Sequence, residues 1–252
     1  MMSSPIEYLQ PDLLNSKGIS AWFTYRNHLN VNPNNVIQGL NLGMNTSDAP
    51  EVIEWNRNVL LQELSIEAGQ LAYAKQVHKT HIEEVKEGGE YPDTDGLVTT
   101  SENLVLAIQV ADCAAILLGD SVNRVVGAVH AGWRGASANI CIKMIDKMKE
   151  LGAEPKNIKA FISPCISLKN FEVGQEVAMQ FPSRFVDFCS YQKPHVDLRA
   201  FIKDQLREMG IGDKNMEINQ ECTIDNEHLY SFRRQKEKSG RMMALIKLKQ
   251  AG

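Results

Sequence analysis

A chain of 252 residues with 43% hydrophobic and 23% charged residues is long enough to bury a full core. Its net charge of −4 excludes a general basic footprint for nucleic acid while leaving room for a local cationic pocket. No membrane-length apolar run and no signal-like start are present, and the five cysteines are widely spaced, so free thiols in a reducing cytoplasm are expected, with neither a membrane nor nucleic acid as partner.

Residues 19–25, ISAWFTY, predict a strand. The turn-rich GLNLGMNTSDAP (39–50) precedes a helix with Ser47 or Asp48 as N-cap, Pro50 in the first turn, and Glu51 and Glu54 at the positive end of the dipole. LAYAKQVH (71–78) predicts a strand ending in a histidine. LVLAIQV (104–110) is interrupted by Ala-Asp-Cys and resumes as AAILLGD (114–120), and RVVGAVHAG (124–132) returns as a third strand. ASANICIKMIDKMKELG (136–152) spaces Ile140, Met144, Ile145, Met148 and Leu151 on one helix face, with Gly152 as C-terminal cap. IKAFISPCI (158–166) predicts a further strand, EVGQEVAMQF and DLRAFIKDQLREMG predict helices, and GRMMALIKLK (240–249) a final strand. No repeat, low-complexity tract or long linker divides the chain, so one mixed α/β domain over residues 1–252 is expected.

Three apolar runs stop or break at His78, Cys113 and His130. Two imidazoles and a thiolate form a zinc ligand set of the kind that leaves a fourth position open, and bound zinc lowers the pKa of its water towards about 7. The spacing contains neither a CxxC pair nor an HExxH helix, so other readings stand beside this one. The three residues could be ordinary core and loop side chains, or Cys113 and a nearby histidine could form a metal-free nucleophile and base. HIE (81–83) followed by Pro164-Cys165 begins like a deaminase zinc signature, but Leu168 occupies the place of the second cysteine and the match fails. Gly132 and Gly135 permit a sharp turn and close approach to a ligand. Arg134 stands between them just before a helix, whose free N–H groups favour an anion; the alternative is a solvated arginine at a strand–helix corner.

QVH, DGLVT, ADC, HAGWRG, EVG and SFRR…SGR occur in the order found in the YfiH/laccase-domain family, which the chain resembles from about residue 18 to 248. The resemblance implies a YfiH-like fold with a β-rich core flanked by helices. It implies zinc as cofactor, held by His78, Cys113 and His130, which would also be the catalytic residues. It implies purine nucleosides and phosphate as small-molecule partners, through phosphorolysis of adenosine, inosine, guanosine and methylthioadenosine and through deamination of adenosine. Some bacterial members are linked instead to removing misincorporated serine from a UDP-muramyl precursor. Arg134, Arg57 on the first helix, Arg233 and Arg234 are the candidates for holding phosphate. The chain departs from the family pattern at SPCI (163–166), where relatives usually carry Gly-Pro-aliphatic, and in the opening of LYSFRR (229–234). The family's older description as a multicopper oxidase does not suit a chain with six histidines. A zinc-dependent purine nucleoside enzyme is the expectation, with a Cys113–His amidohydrolase of a cell-wall precursor and a non-enzymatic nucleotide-binding module as alternatives.

Overall fold

The apolar runs form strands buried on both faces, and that requirement sets the layering. The computed structural model describes residues 6–15, 18–27 and 34–250. Strands β1 (Tyr8–Leu9) and β2 (Ile19–Thr24) precede helix α1 (Pro50–Glu63) and β3 (Leu71–Ala74). Short strands β4 (Ile82–Glu84), β5 (Gly89–Tyr91) and β6 (Gly96–Thr99) lead to β7 (Val105–Val110), β8 (Ala114–Asp120) and β9 (Val125–Ala131). Helices α2 (Trp133–Ser137) and α3 (Ile140–Glu150) follow, then β10 (Lys159–Ile162), α4 (Gln175–Ala178), β11 (Val186–Asp187) and β12 (His195–Val196). The chain continues through α5 (Leu198–Glu208), β13 (Met216–Ile218), α6 (Phe232–Gln235) and β14 (Met242–Leu248).

One six-stranded sheet has the order β1-β2-β14-β7-β3-β5 and the other β13-β10-β8-β9-β6-β4, while β11 and β12 form a separate ribbon. Both sheets are mixed: β3 is parallel to β5 and β7, β4 to β6, and β10 to β13. Side chains alternate along a strand. On β8, Ala115 and Leu117 join the cluster between the sheets with Phe23, Leu106, Ile108 and Ile246. Ile116 and Leu118 join the opposite cluster with Met144, Ile145 and Met148 of α3 and Ile202 and Leu206 of α5. Behind the first sheet, Trp22, Val105, Ala107 and Leu245 pack with Leu60 and Leu61 of α1. The result is four layers, helix–sheet–sheet–helix, which is why the inner strands read as continuous apolar runs rather than as alternating ones. No helix among the described residues is long and apolar enough to cross a membrane.

The structure alters several local expectations. Helix α1 has Ala49 as N-cap with no side-chain cap, because Asp48 accepts the N–H groups of Val36 and Ile37 and the amide of Asn41 instead. The strand expected over 71–78 ends at Ala74, so His78 lies in the following loop. The single helix expected over 136–152 is two, divided at Asn139 with φ 63°, a left-handed conformation that asparagine tolerates. The strand expected over 158–166 stops at Ile162, and only Gln175–Ala178 of EVGQEVAMQF is α-helical.

Helix α5 is closed at its start by Asp197, whose carboxylate accepts the Ala200 N–H at 2.9 Å. Asp197→Ala is expected to lower stability by about 1 kcal/mol and the melting temperature by about 2–4 °C. An unchanged transition in scanning calorimetry would show that this cap contributes nothing.

Candidate metal centre and cavity

Strand β7 belongs to one sheet and β8 to the other, so Ala111-Asp112-Cys113 is the crossing between them. Asp112 makes the turn with φ 82°. Its carboxylate accepts the Thr223 hydroxyl and the Arg233 N–H, each at 2.6 Å, which holds the crossing in that conformation. Cys113 is half-buried where the chain changes sheets. His130 reaches it from β9, where it pairs with Ala115 of β8, and His78 reaches it from the loop after β3. The donor atoms of the three side chains lie within 4.8 Å of one another. The two rings meet edge to face, with centroids 4.7 Å apart at 87°.

Asp95, fully buried just before β6, organises this cluster. Its Oδ1 accepts His130 Nδ1 at 2.8 Å and the His78 N–H at 2.9 Å. Its Oδ2 accepts the N–H groups of Lys79 at 2.7 Å and Val77 at 3.2 Å. The His78 loop therefore wraps one carboxylate, with His78 itself at φ 61°. An Nδ1–H directed to Asp95 leaves Nε2 of His130 as the donor facing Cys113.

The electrostatics are those of a coupled set. Burial pushes the Cys113 thiol up, but the His130 and His78 rings overcome it and bring it down to about 6. Burial pushes the His130 ring down, and Cys113 and Asp95 raise it to about 9. A thiol this readily ionised is a good metal ligand as well as a good nucleophile. Gly132 completes the pocket: a Cβ there would stand 2.9 Å from Cys113 Sγ and 3.2 Å from His78 Cδ2. Two imidazoles, a thiolate, a carboxylate behind one imidazole and a glycine where a side chain would crowd the donors together fit zinc.

The cluster opens into a cavity of about 710 Å3 whose walls include Tyr73, Ile166, Phe171, Leu198 and Phe232. The arginines named from the sequence divide. Arg134 and Arg233 line the cavity and are exposed. Arg134 lies over the ring of Trp133 at 4.3 Å, inside a helix of only five residues rather than ahead of a long one. Arg233 donates to the Glu172 carbonyl at 2.6 Å. Arg57 and Arg234 are not on the lining. Arg57 is buried behind Tyr73, with its Nε on the Leu42 carbonyl and its guanidinium 4.4 Å from the Tyr73 ring. Arg234 clamps the carbonyls of Thr223, Ile224, Asn226 and Leu229. Sequence reasoning passed over Asp95, Asp112 and Arg241, although each sits inside a quoted motif, DGLVT, ADC and SGR. An acidic residue immediately before a strand that begins with glycine was the available signal for Asp95.

Comparison with known proteins follows the same lines. The family model described as multi-copper polyphenol oxidoreductase laccase matches residues 20–249. A purine nucleoside phosphorylase of Corynebacterium glutamicum is 35% identical over 202 residues, 77% of this chain and 81% of that protein. Another from Deinococcus radiodurans is 34% identical over 213 residues, 83% of this chain and 82% of that protein. The crystal structure of the hypothetical protein YfiH of Bacillus licheniformis superposes with a TM-score of 0.85 at 26% identity, covering 94% of this chain and 98% of that one. YlmD from Geobacillus stearothermophilus shares the fold with a TM-score of 0.89 at 23% identity, covering 99% of this chain and 98% of that one. Motif order, layered fold and matched span agree, and the chain belongs to the YfiH-like family described as multi-copper polyphenol oxidoreductase laccases.

Proposed function

We propose that this chain is a zinc-dependent, cytoplasmic purine nucleoside phosphorylase that also deaminates adenosine. The observation that carries the reading is the His78–Cys113–His130 cluster, ordered by Asp95, at the base of a cavity bordered by arginines. Relatives 35% and 34% identical over the aligned residues are named purine nucleoside phosphorylases. The five free cysteines suit a reducing compartment.

Phosphorolysis breaks the bond between ribose C1′ and the base nitrogen and forms a bond from C1′ to a phosphate oxygen. The site must hold a dianion beside the sugar and relieve the charge that builds on the departing base. Cavity-lining guanidinium groups supply the first requirement, since their planar forks match phosphate oxygens. Tyr73, Phe171 and Phe232 offer apolar ring faces for a purine. At about 710 Å3 the cavity falls within the usual range for small-molecule sites, and serving both reactions requires a nucleoside to present either its sugar or its base edge to the same donors. His78, Cys113 and His130 would hold zinc, which when bound supplies Lewis acidity at the base of the cavity. Asp95 keeps the His130 ring oriented and its Nδ1 proton in place. One observation favours a second reading: a thiol brought down to about 6 between two imidazoles is also the layout of a nucleophile with its base, as a metal-free amidohydrolase of a cell-wall precursor would need.

Purified protein is expected to carry about one zinc per chain and to release hypoxanthine from inosine only when phosphate is present; Cys113→Ala and His130→Ala should lose most of the metal and the activity. Elemental analysis showing full zinc in both variants would overturn the metal assignment, and turnover of an amide substrate by metal-free protein would favour the second reading. Asp95→Asn should weaken zinc binding about 10–100-fold in a chelator competition, because the carboxylate orients a ligand rather than binding the metal. An unchanged affinity would remove Asp95 from that role. Arg134→Ala should slow inosine phosphorolysis about ten- to hundredfold and adenosine deamination much less. Equal losses together with a lower melting temperature would instead make Arg134 a brace of the strand–helix corner.

A further inference from the structure

Arg241 begins the turn into β14 and lines the cavity, yet it was not among the arginines that sequence reasoning selected. It is the most firmly placed of the cavity arginines. Its backbone N–H donates to Asn41 Oδ1 at 2.9 Å, and its carbonyl accepts the Leu42 N–H at 3.2 Å. Its Nη1 donates to the carbonyls of Ser239 and Gly240, both at 2.9 Å, and its guanidinium lies 5.6 Å from the Phe232 ring centre. Its Nε and Nη2 have no hydrogen-bond acceptor among the described residues.

The turn-rich GLNLGMNTSDAP segment explains why the side chain lies there. A Cβ on Gly43 would stand 2.3 Å from Arg241 Cγ and 2.9 Å from its Cβ, so only glycine lets the arginine stem pass. Asn41, fully buried, locks the loop around that gap by accepting the Gly43 N–H and donating to Thr46 Oγ1 and Asp48 Oδ2. Asn56 of α1 in turn donates to the Asn41 carbonyl at 2.8 Å. Asp48, expected to cap a helix, serves this network. Met44 and Asn45, next along the loop, line the same cavity.

Such a network is costly to assemble around a cation that burial disfavours. Burial lowers the Arg241 pKa, while Cys113, Asp112 and Glu237 act the other way. Two of these acids have other partners: Asp112 is held by Thr223 and Arg233, and Cys113 lies between the two histidines. A partly buried guanidinium that lines a cavity and has two donor groups without an acceptor among the described residues is matched by a tetrahedral oxyanion, which takes two parallel N–H bonds.

We propose that Arg241, positioned by Asn41 and Gly43, anchors an oxyanion subsite in this cavity. Under the phosphorylase reading, on which the assignment of its occupant rests, this is the inorganic phosphate subsite. Arg134 and Arg233, exposed on the same lining, are then auxiliary charges rather than the anchor.

Two measurements on the zinc-loaded protein test the subsite, one independent of activity. Steady-state phosphorolysis of inosine should show Arg241→Gln raising the KM for phosphate about ten- to hundredfold with the KM for inosine changed less than about twofold. Arg241→Lys, which keeps the charge and loses the fork, should fall between. Gly43→Ala leaves every charge in place but displaces the stem, and it should raise the phosphate KM in the same direction. A raised inosine KM with an unchanged phosphate KM would overturn the proposal by moving Arg241 to the nucleoside. In parallel, saturating inorganic phosphate should raise the melting temperature of the unaltered protein and not that of Arg241→Gln. If the unaltered protein shows no phosphorolysis but keeps this difference, the phosphorylase reading fails and the oxyanion subsite stands. Equal stabilisation of both proteins, or of neither, overturns the subsite.

Discussion

Asp95 ties the loop carrying His78 to the strand carrying His130, and the geometry of the cluster depends on that carboxylate. Burying it without partners would cost several kcal/mol, but it accepts an imidazole N–H and three backbone N–H groups. Charge-assisted bonds contribute about 1.5–3 kcal/mol each, more than the roughly 1–2 kcal/mol that a left-handed conformation costs at His78. The loop is therefore held in a conformation that its own residues would not choose. The backbone repeats the link, since the His130 N–H donates to the Asp95 carbonyl at 2.8 Å. Position 95 thus fixes both the direction of one histidine and the path of the chain around the other.

The cluster sits where the layering makes a site nearly unavoidable. A chain that passes from one sheet to the other in three residues must turn sharply at the edge of the sandwich, and Asp112 makes that turn. Cys113 is delivered to the edge by this crossing, His130 by a strand of the second sheet and His78 by a loop of the first. Rigid strands on both sides keep the three donors within reach of one another, while the loops at 41–48 and 231–241 shape the cavity above them.

Much of this was legible in the sequence because strand ends are. β7, β8 and β9 followed from continuous apolar runs, and the three donors were visible as polar residues where such runs stop. What the sequence concealed depended on distant partners. Asp95 meets His130 across 35 positions, and its place just before the glycine that opens β6 gives no sign of that partner. Asp48 has the side chain of a helix cap, but N–H groups at 36 and 37 claim it. The pattern of Ile140, Met144 and Met148 extends smoothly back to residue 136, so the break at Asn139 left no trace in the periodicity. Charge alone could not separate Arg57 and Arg234, which bond carbonyls within the fold and lie off the cavity lining, from Arg241, which lines the cavity.

The order of strands bears on solubility. The long apolar strands β7, β8, β9 and β14, six or seven residues each, all lie inside their sheets. The outermost strands β1, β4, β5 and β13 are two or three residues long, and three of the four carry glutamate. An edge that short offers few free backbone groups to another chain, and burying its carboxylates would carry a desolvation penalty. Glu217 on β13 is further engaged by the Leu13 N–H at 2.9 Å. Segments such as AAILLGD, which in isolation have the composition of an aggregating strand, are therefore shielded by their position inside the sheet, and the short margins disfavour edge-to-edge growth.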